Sequence, residues 1–171
     1  PTEESQRSTV KKHLRFELYC RLARGVGRLW VHSARVNDVA KVASDSKKAP
    51  RLWFHASSVG ELESLSELIV ESLVAWQNAQ VHVSVFSRSA ESAVVKLKRE
   101  IERRLGAAVA TRVSVGLSPL EGHWSESLAR FEPNAWITAK YEAWPEVWFS
   151  LGQMQVPVVI VAAQARPSLR I

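Results

Sequence analysis

The chain has little that could fix a metal, a disulfide or a membrane span. It holds one cysteine, Cys20. A single thiol excludes an internal disulfide framework and a cysteine-based zinc site. The five histidines, at 13, 32, 55, 82 and 123, show no ligand spacing, and neither a His-Glu-x-x-His nor an EF-hand pattern occurs. No metal and no cofactor is therefore expected. No apolar run reaches the roughly 18 residues that crossing a bilayer requires, and no signal-peptide core is present. A Gly-x-Gly-x-x-Gly turn is also missing after the first strand pattern, which disfavours a small-molecule nucleotide binder. The chain opens at Pro1 without an initiator methionine, which reads as a fragment or a trimmed chain.

Excess charge is missing from most of the sequence. Residues 51–171 carry 12 Lys/Arg and 12 Asp/Glu, whereas residues 1–50 carry 11 Lys/Arg against 5 Asp/Glu, the whole net charge of +6. The basic character thus belongs to the N-terminal segment. A nucleic-acid partner is not expected, because its footprint would need basic residues along a groove or sheet face of the main domain. What is present is ordinary globular composition, 46% hydrophobic over 171 residues, enough for one domain with an appendage.

Two regions follow. In residues 1–50, Val10, Leu14, Leu18, Leu22 and Val26 recur every four positions, with Lys11, Lys12, Arg15, Arg21, Arg24 and Arg28 among them. This predicts a basic amphipathic helix over about 9–32. It either packs on its own domain with a solvated basic face or lies on an anionic membrane surface. Residues 37–50 read as a linker. From 51 to 171, short β-rich runs alternate with helical patterns. Strands are expected at 52–56, 81–86, near 112–117, at 135–138 and 156–161. Helices are expected near 61–77, 89–105, 123–131 and 145–153. That alternation implies βαβ units, so an α/β Rossmann-like parallel sheet with helices on both faces. Ligands in such folds sit beyond the carboxyl ends of the strands.

Four segments fall at that edge. His55-Ala56-Ser57-Ser58-Val59-Gly60-Glu61 is a strand-to-helix turn whose small residues would leave backbone amides open to a ligand, with Glu61 at the mouth. Glu61 reads either as a helix-start acid that offsets the macrodipole or as a general base. His55 reads as a satisfied strand-end histidine. Lys140-Tyr141-Glu142-Ala143-Trp144-Pro145-Glu146 precedes a helix that Pro145 would start. There Glu142 could face a ligand and Trp144 offers a flat wall, or the segment is an ordinary helix start with a core Trp. Ser87 and Ser89 are either anion ligands or N-caps. Arg166, after the last strand, is either an anion ligand or a surface charge.

In order, HASSVGE, the Ser-rich second turn, YEAWPE, the strand VPVVIV and QARPS resemble the N-terminal domain of the Kdo transferases, enzymes of lipopolysaccharide synthesis. The family carries His-x-x-Ser-x-Gly-Glu, Glu-Thr-Glu-Leu-Trp-Pro-Asn and Asn-Ala-Arg-x-Ser segments, and the resemblance spans about residues 50–170. It implies a GT-B glycosyltransferase with a basic N-terminal helix at the cytoplasmic face of the bacterial inner membrane. It implies a lipid A precursor as acceptor and CMP-Kdo as donor, the donor held by a C-terminal domain that this sequence does not contain. The chain alone is then expected to be inactive. Glu61 would be the general base, with Ser58, Gly60, Lys140, Glu142 and Trp144 on the acceptor side. The chain departs from the pattern where Lys140 and Tyr141 stand for Glu and Thr, Glu146 for Asn and Gln164 for Asn. Lys140 reverses a charge at the acceptor site. The alternative is a non-catalytic Rossmann-like binding module derived from such a domain.

Overall fold

A computed structural model describes Leu22, residues 49–140 and residues 144–162. The expected helix over 9–32, the linker, Glu142 and Arg166 lie outside the described residues, apart from Leu22, which is helical and exposed.

The alternating pattern folds as the sequence predicts. The order is β1 (Arg51–Ala56), α1 (Val59–Ala75), β2 (Gln80–Val85), a 3₁₀ turn (Arg88–Ala90), α2 (Glu91–Leu105), α3 (Ala107–Ala110), β3 (Val113–Leu117), α4 (Trp124–Phe131), β4 (Ala135–Ala139), α5 (Pro145–Gln153) and β5 (Val158–Val161). The strands form one sheet in the order β3-β2-β1-β4-β5, and every pairing is parallel. The order reverses at β1, between β2 and β4, so the turn after β1 lies at the topological switch point where α/β ligands collect. The one element the periodicity misses is α3. Gly106 has φ +92°, ends α2 and lets a short turn of Ala107–Ala110 begin at once.

Side-chain alternation splits the core in two. On one face Leu52, Phe54 and Ala56 of β1 join Val81, Val83 and Val85 of β2 and Ile137 and Ala139 of β4. Helices α1 and α2 close that face with Leu62, Leu65, Ile69, Leu73, Val94, Leu97 and Ile101. Arg104 of α2 also pairs through both terminal nitrogens with Glu67 of α1, at 2.8 and 2.9 Å. The opposite face is aromatic: Trp53, His55, His82 and Trp136 lie under Trp124, Leu128 and Phe131 of α4 and Val147 and Leu151 of α5. Each large side chain that is fully buried stabilises the fold by roughly 1.5–3 kcal/mol, which suffices to hold β1 rigid at the centre. Strand β5 is different, for Val159 and Ile160 remain exposed.

Several buried polar groups on the aromatic face pair within the sheet. Trp53 Nε1 donates to Ser84 Oγ at 2.8 Å, and His55 Nδ1 lies 2.9 Å from the same oxygen. His82 Nδ1 lies 2.8 Å from Ser114 Oγ, while its Nε2 is buried without a partner. Protonating His82 would put an N–H on that nitrogen with nothing to accept it. Burial, with a smaller contribution from His55, accordingly pulls the His82 pKa down to about 3.

Candidate functional site

The carboxyl edge of the sheet gathers the turn after β1, the turn after β2, the loop after β3 and the turn after β4. The first two are zipped together: Phe86 N–H donates to Ala56 O at 3.1 Å and Ser87 N–H to Ser57 O at 3.3 Å. Ser57, Ser58, Gly60 and Glu61 therefore lie beside Phe86, Ser87 and Ser89, as the sequence order implied.

Ser58 is the N-cap of α1. Its Oγ accepts from Glu61 N–H at 3.4 Å, and Glu61 Oε2 accepts from Ser57 N–H at 2.8 Å and Ser58 N–H at 3.1 Å. This is a capping box extended by one residue. It revises one sequence expectation. The amides of Ser57 and Ser58 are not open to an external anion, because the protein's own carboxylate occupies them. The same bonds fix where Glu61 stands. They all fall on Oε2, and Oε1 takes no part in them.

Gly60 sits in the first turn of α1. A Cβ placed there would meet nothing within 4 Å, and its backbone shows no positive φ. Neither packing nor backbone geometry demands glycine at this position, and the space beside the helix backbone there is open.

The second turn is less promising for anions. Ser87 and Ser89 share a hydrogen bond between their hydroxyls at 2.6 Å, and Ser89 N–H donates to Ser87 Oγ at 3.3 Å. Ser87 thus caps the 3₁₀ turn, the structural role the sequence left open.

At the end of β4, Lys140 is exposed, adopts φ +59° and donates its N–H to Val161 O at 2.9 Å. Trp144 is the N-cap residue of α5, with Pro145 in the first turn as expected. Its half-buried ring lies 5.0 Å from Phe86, 6.1 Å from His55 and 6.1 Å from Trp124. Trp144 and Phe86 form an aromatic wall between the β2 and β4 turns. His55 is fully buried beneath it, a structural histidine rather than a ligand contact.

Sequence reasoning passed over the loop after β3. Glu146, noted in the sequence only as a departure from the family pattern, is 1% exposed. Its Oε1 accepts from Ser125 N–H at 3.2 Å and Ser125 Oγ at 3.0 Å, and its Oε2 accepts from Gly122 N–H. Gly122 has φ +93°, a conformation side chains resist, which turns its amide toward Glu146. Beside it, both carboxyl oxygens of Glu121 are buried without a hydrogen-bond partner. Burial first, and the Glu146 charge second, push the Glu121 pKa up to about 7. The backbone N–H of Glu146 offsets this slightly but falls short of a hydrogen bond. No periodicity or motif signals such a pair, since each acid taken alone reads as surface.

Among the described residues no three His, Cys, Asp or Glu side chains come together as metal ligands would, and no helix is long and apolar enough to cross a membrane. A search among curated proteins found no match. The profile of the 3-deoxy-D-manno-octulosonic-acid transferase (Kdo transferase) family, however, matches residues 10–169, nearly the whole chain, and the chain belongs to that family of lipopolysaccharide glycosyltransferases.

Proposed function

We propose that the chain is the acceptor-binding half of an enzyme that moves Kdo from CMP-Kdo to a lipid A precursor, with Glu61 as general base. The Glu61 carboxylate takes the proton of the acceptor hydroxyl. That oxygen attacks the anomeric carbon of Kdo, and the bond to the CMP phosphate breaks with its electron pair leaving on CMP. The donor would be held by a further domain across the cleft. The observation that carries this reading is the position of Glu61: pinned through Oε2 at the switch point of the sheet, next to the open backbone at Gly60. A base must stand within hydrogen-bond reach of its proton, and a carboxylate fixed by two amides loses little freedom in doing so. Trp144 with Phe86 would face the acceptor, and Lys140 would add a positive charge suited to an acceptor phosphate. Glu142 and Arg166 are proposed members of the same site by family resemblance. The basic pattern over residues 9–32 supports a peripheral position at the cytoplasmic face of the inner membrane.

The test uses the full-length protein with CMP-Kdo and a lipid A precursor. Glu61→Gln retains an oxygen that can accept the Ser57 and Ser58 amides but removes the basic charge, whereas Glu61→Ala also removes the cap. Transfer by the Gln variant should fall by about 100-fold or more, the usual weight of a positioned base. Turnover within a few fold of wild type would sink the assignment.

A further inference from the structure

The loop after β3 carries a second device. Glu146, in the first turn of α5, reaches across to the N-terminal turn of α4 and accepts from Gly122 N–H, Ser125 N–H and Ser125 Oγ. A buried carboxylate on three donors is a strong tether, because the charge-assisted bonds form where water is excluded. It joins two elements that also share the apolar packing of Trp124, Leu128, Val147 and Leu151. Trp144 lies two residues before Glu146 and touches Trp124, two residues after Gly122. The tether therefore spans the same gap as the aromatic wall.

Glu121 stands on the other side of Gly122 with both oxygens buried and unpartnered. The neighbouring Glu146 carboxylate disfavours a second negative charge here, and the amides of Gly122 and Ser125 are already taken by Glu146. Of the charged groups on the surrounding elements, Glu146 of α5 bears on Glu121. His123 follows in the same loop, Glu126 of α4 and Lys140 at the end of β4 are exposed, and the other loop residues, Ser118, Pro119, Leu120 and Gly122, carry no charge.

We propose that Glu121 and Glu146 form a carboxyl pair in which Glu146 clamps the β3–α4 loop to α5 and neutral Glu121 permits the clamp, so that the pair positions Trp144 at the site. Glu146 is a positioning residue, since it acts through Trp144. Raising the pH through neutrality removes the proton from Glu121, sets two negative charges side by side and loosens the loop. The clamp rests on hydrogen bonds within the chain. Its bearing on the acceptor rests on the functional reading above.

The experiment follows the intact 171-residue chain by NMR from pH 5.5 to 8.5. Protection factors of the Gly122 and Ser125 amides report the clamp, and the Trp144 indole N–H, assigned with Trp144→Phe, reports the wall. In wild type, protection should fall by about 10-fold between pH 6 and 8, one pH unit of proton linkage, and the indole signal should shift with the same midpoint. In Glu121→Gln both responses should vanish, with protection at pH 8 restored to the low-pH value. Glu146→Gln should lower protection by about 10-fold at every pH. If that variant fails to fold, Glu121→Gln carries the test alone. Identical pH responses in wild type and Glu121→Gln would overturn the pair. Amides that respond while the Trp144 indole stays still would overturn the positioning role. A chain that shows the full clamp but gives no shift with deacylated glucosamine-disaccharide bisphosphate would count against the acceptor reading and leave the pair standing.

Discussion

Two buried groups in this domain titrate in opposite senses, and their balance can be worked out and measured. His82 has its pKa drawn down from 6.5 to about 3 by burial. The folded state keeps the ring neutral while the unfolded chain takes up a proton below about pH 6.5, so stability present above that pH is lost as pH falls toward 3. Glu121 has its pKa raised from 4.5 to about 7. The folded state holds a proton that the unfolded chain has released, so its contribution is complete below about pH 4.5 and is lost as pH rises through 7. One proton per pH unit is worth about 1.36 kcal/mol. Taking the pH from 7.5 to 5.0 therefore costs about 2 kcal/mol through His82. The same step returns about 2.4 kcal/mol through Glu121 at face value, but the rest of that residue is partly open to solvent and screening reduces the figure to about 1 kcal/mol.

Urea unfolding followed by far-ultraviolet circular dichroism at the two pH values separates them. Wild type should lose about 1 kcal/mol on going to pH 5.0, Glu121→Gln about 2 kcal/mol, and His82→Asn should gain about 1 kcal/mol. Surface carboxylates are common to all three proteins and cancel in the comparison. His82→Asn will be less stable at both pH values because it leaves space beside Trp53 and Phe131, but only the difference between the two pH values is at issue. An unchanged pH response in His82→Asn would refute the argument that an orphaned Nε2 keeps this histidine neutral.

Other outcomes follow from the same geometry. Gly60→Ala should stabilise the domain by about 0.5–1 kcal/mol in urea unfolding, since glycine is unfavourable inside a helix and the Cβ meets open space. The same substitution should weaken acceptor binding by the full-length enzyme, and a variant that is stabilised yet binds as wild type would show that no ligand approaches there. Ser58→Ala should cost about 1 kcal/mol through the lost N-cap. Lys140→Gly should raise stability by about 1 kcal/mol by relieving φ +59°, while lowering affinity for a phosphorylated acceptor. Deleting residues 1–35 should abolish co-sedimentation with anionic vesicles at low salt, and unchanged co-sedimentation would remove the membrane role from that segment.

Most of the fold was legible because it is written in periods. Apolar β-branched runs such as Val81–Val85 and four-residue spacings such as Leu65, Ile69 and Leu73 each admit one placement in a parallel sheet covered by helices. Boundaries moved by a residue or two where capping decides them: α1 starts at Val59 because Ser58 caps it. Strand β5 starts at Val158, and Pro157, lacking an N–H, enters the ladder only through its carbonyl, which accepts from Trp136. Helix α3 was not legible, since four residues carry too little pattern. The turn after β1 was legible as a strand-to-helix turn at the sheet's carboxyl edge but not in its bonding, because a capping box and an anion cradle call for the same residues.

That last ambiguity also sharpens the chemistry. An open cradle of amides would have drawn an anionic group of the ligand onto Ser57 and Ser58, and Glu61 would then have stood beside a bound negative charge. With Glu61 itself on those amides, the turn carries its negative charge already and suits a hydroxyl rather than a phosphate. Any phosphate of the acceptor must be met elsewhere along the edge, where Lys140 at the end of β4 and Arg88 in the turn after β2 are exposed cations. On the proposed reading the division is chemically sensible: a base next to a hydroxyl at the switch point, and a positive charge on another turn of the edge. It predicts that exchanging the two roles fails. Lys140→Glu should weaken an acceptor that carries phosphate by at least about 10-fold, the loss of one close charge pair, yet leave a dephosphorylated acceptor nearly unaffected. Equal losses for both acceptors would place Lys140 outside the phosphate subsite and return the anion to the Ser87–Ser89 turn.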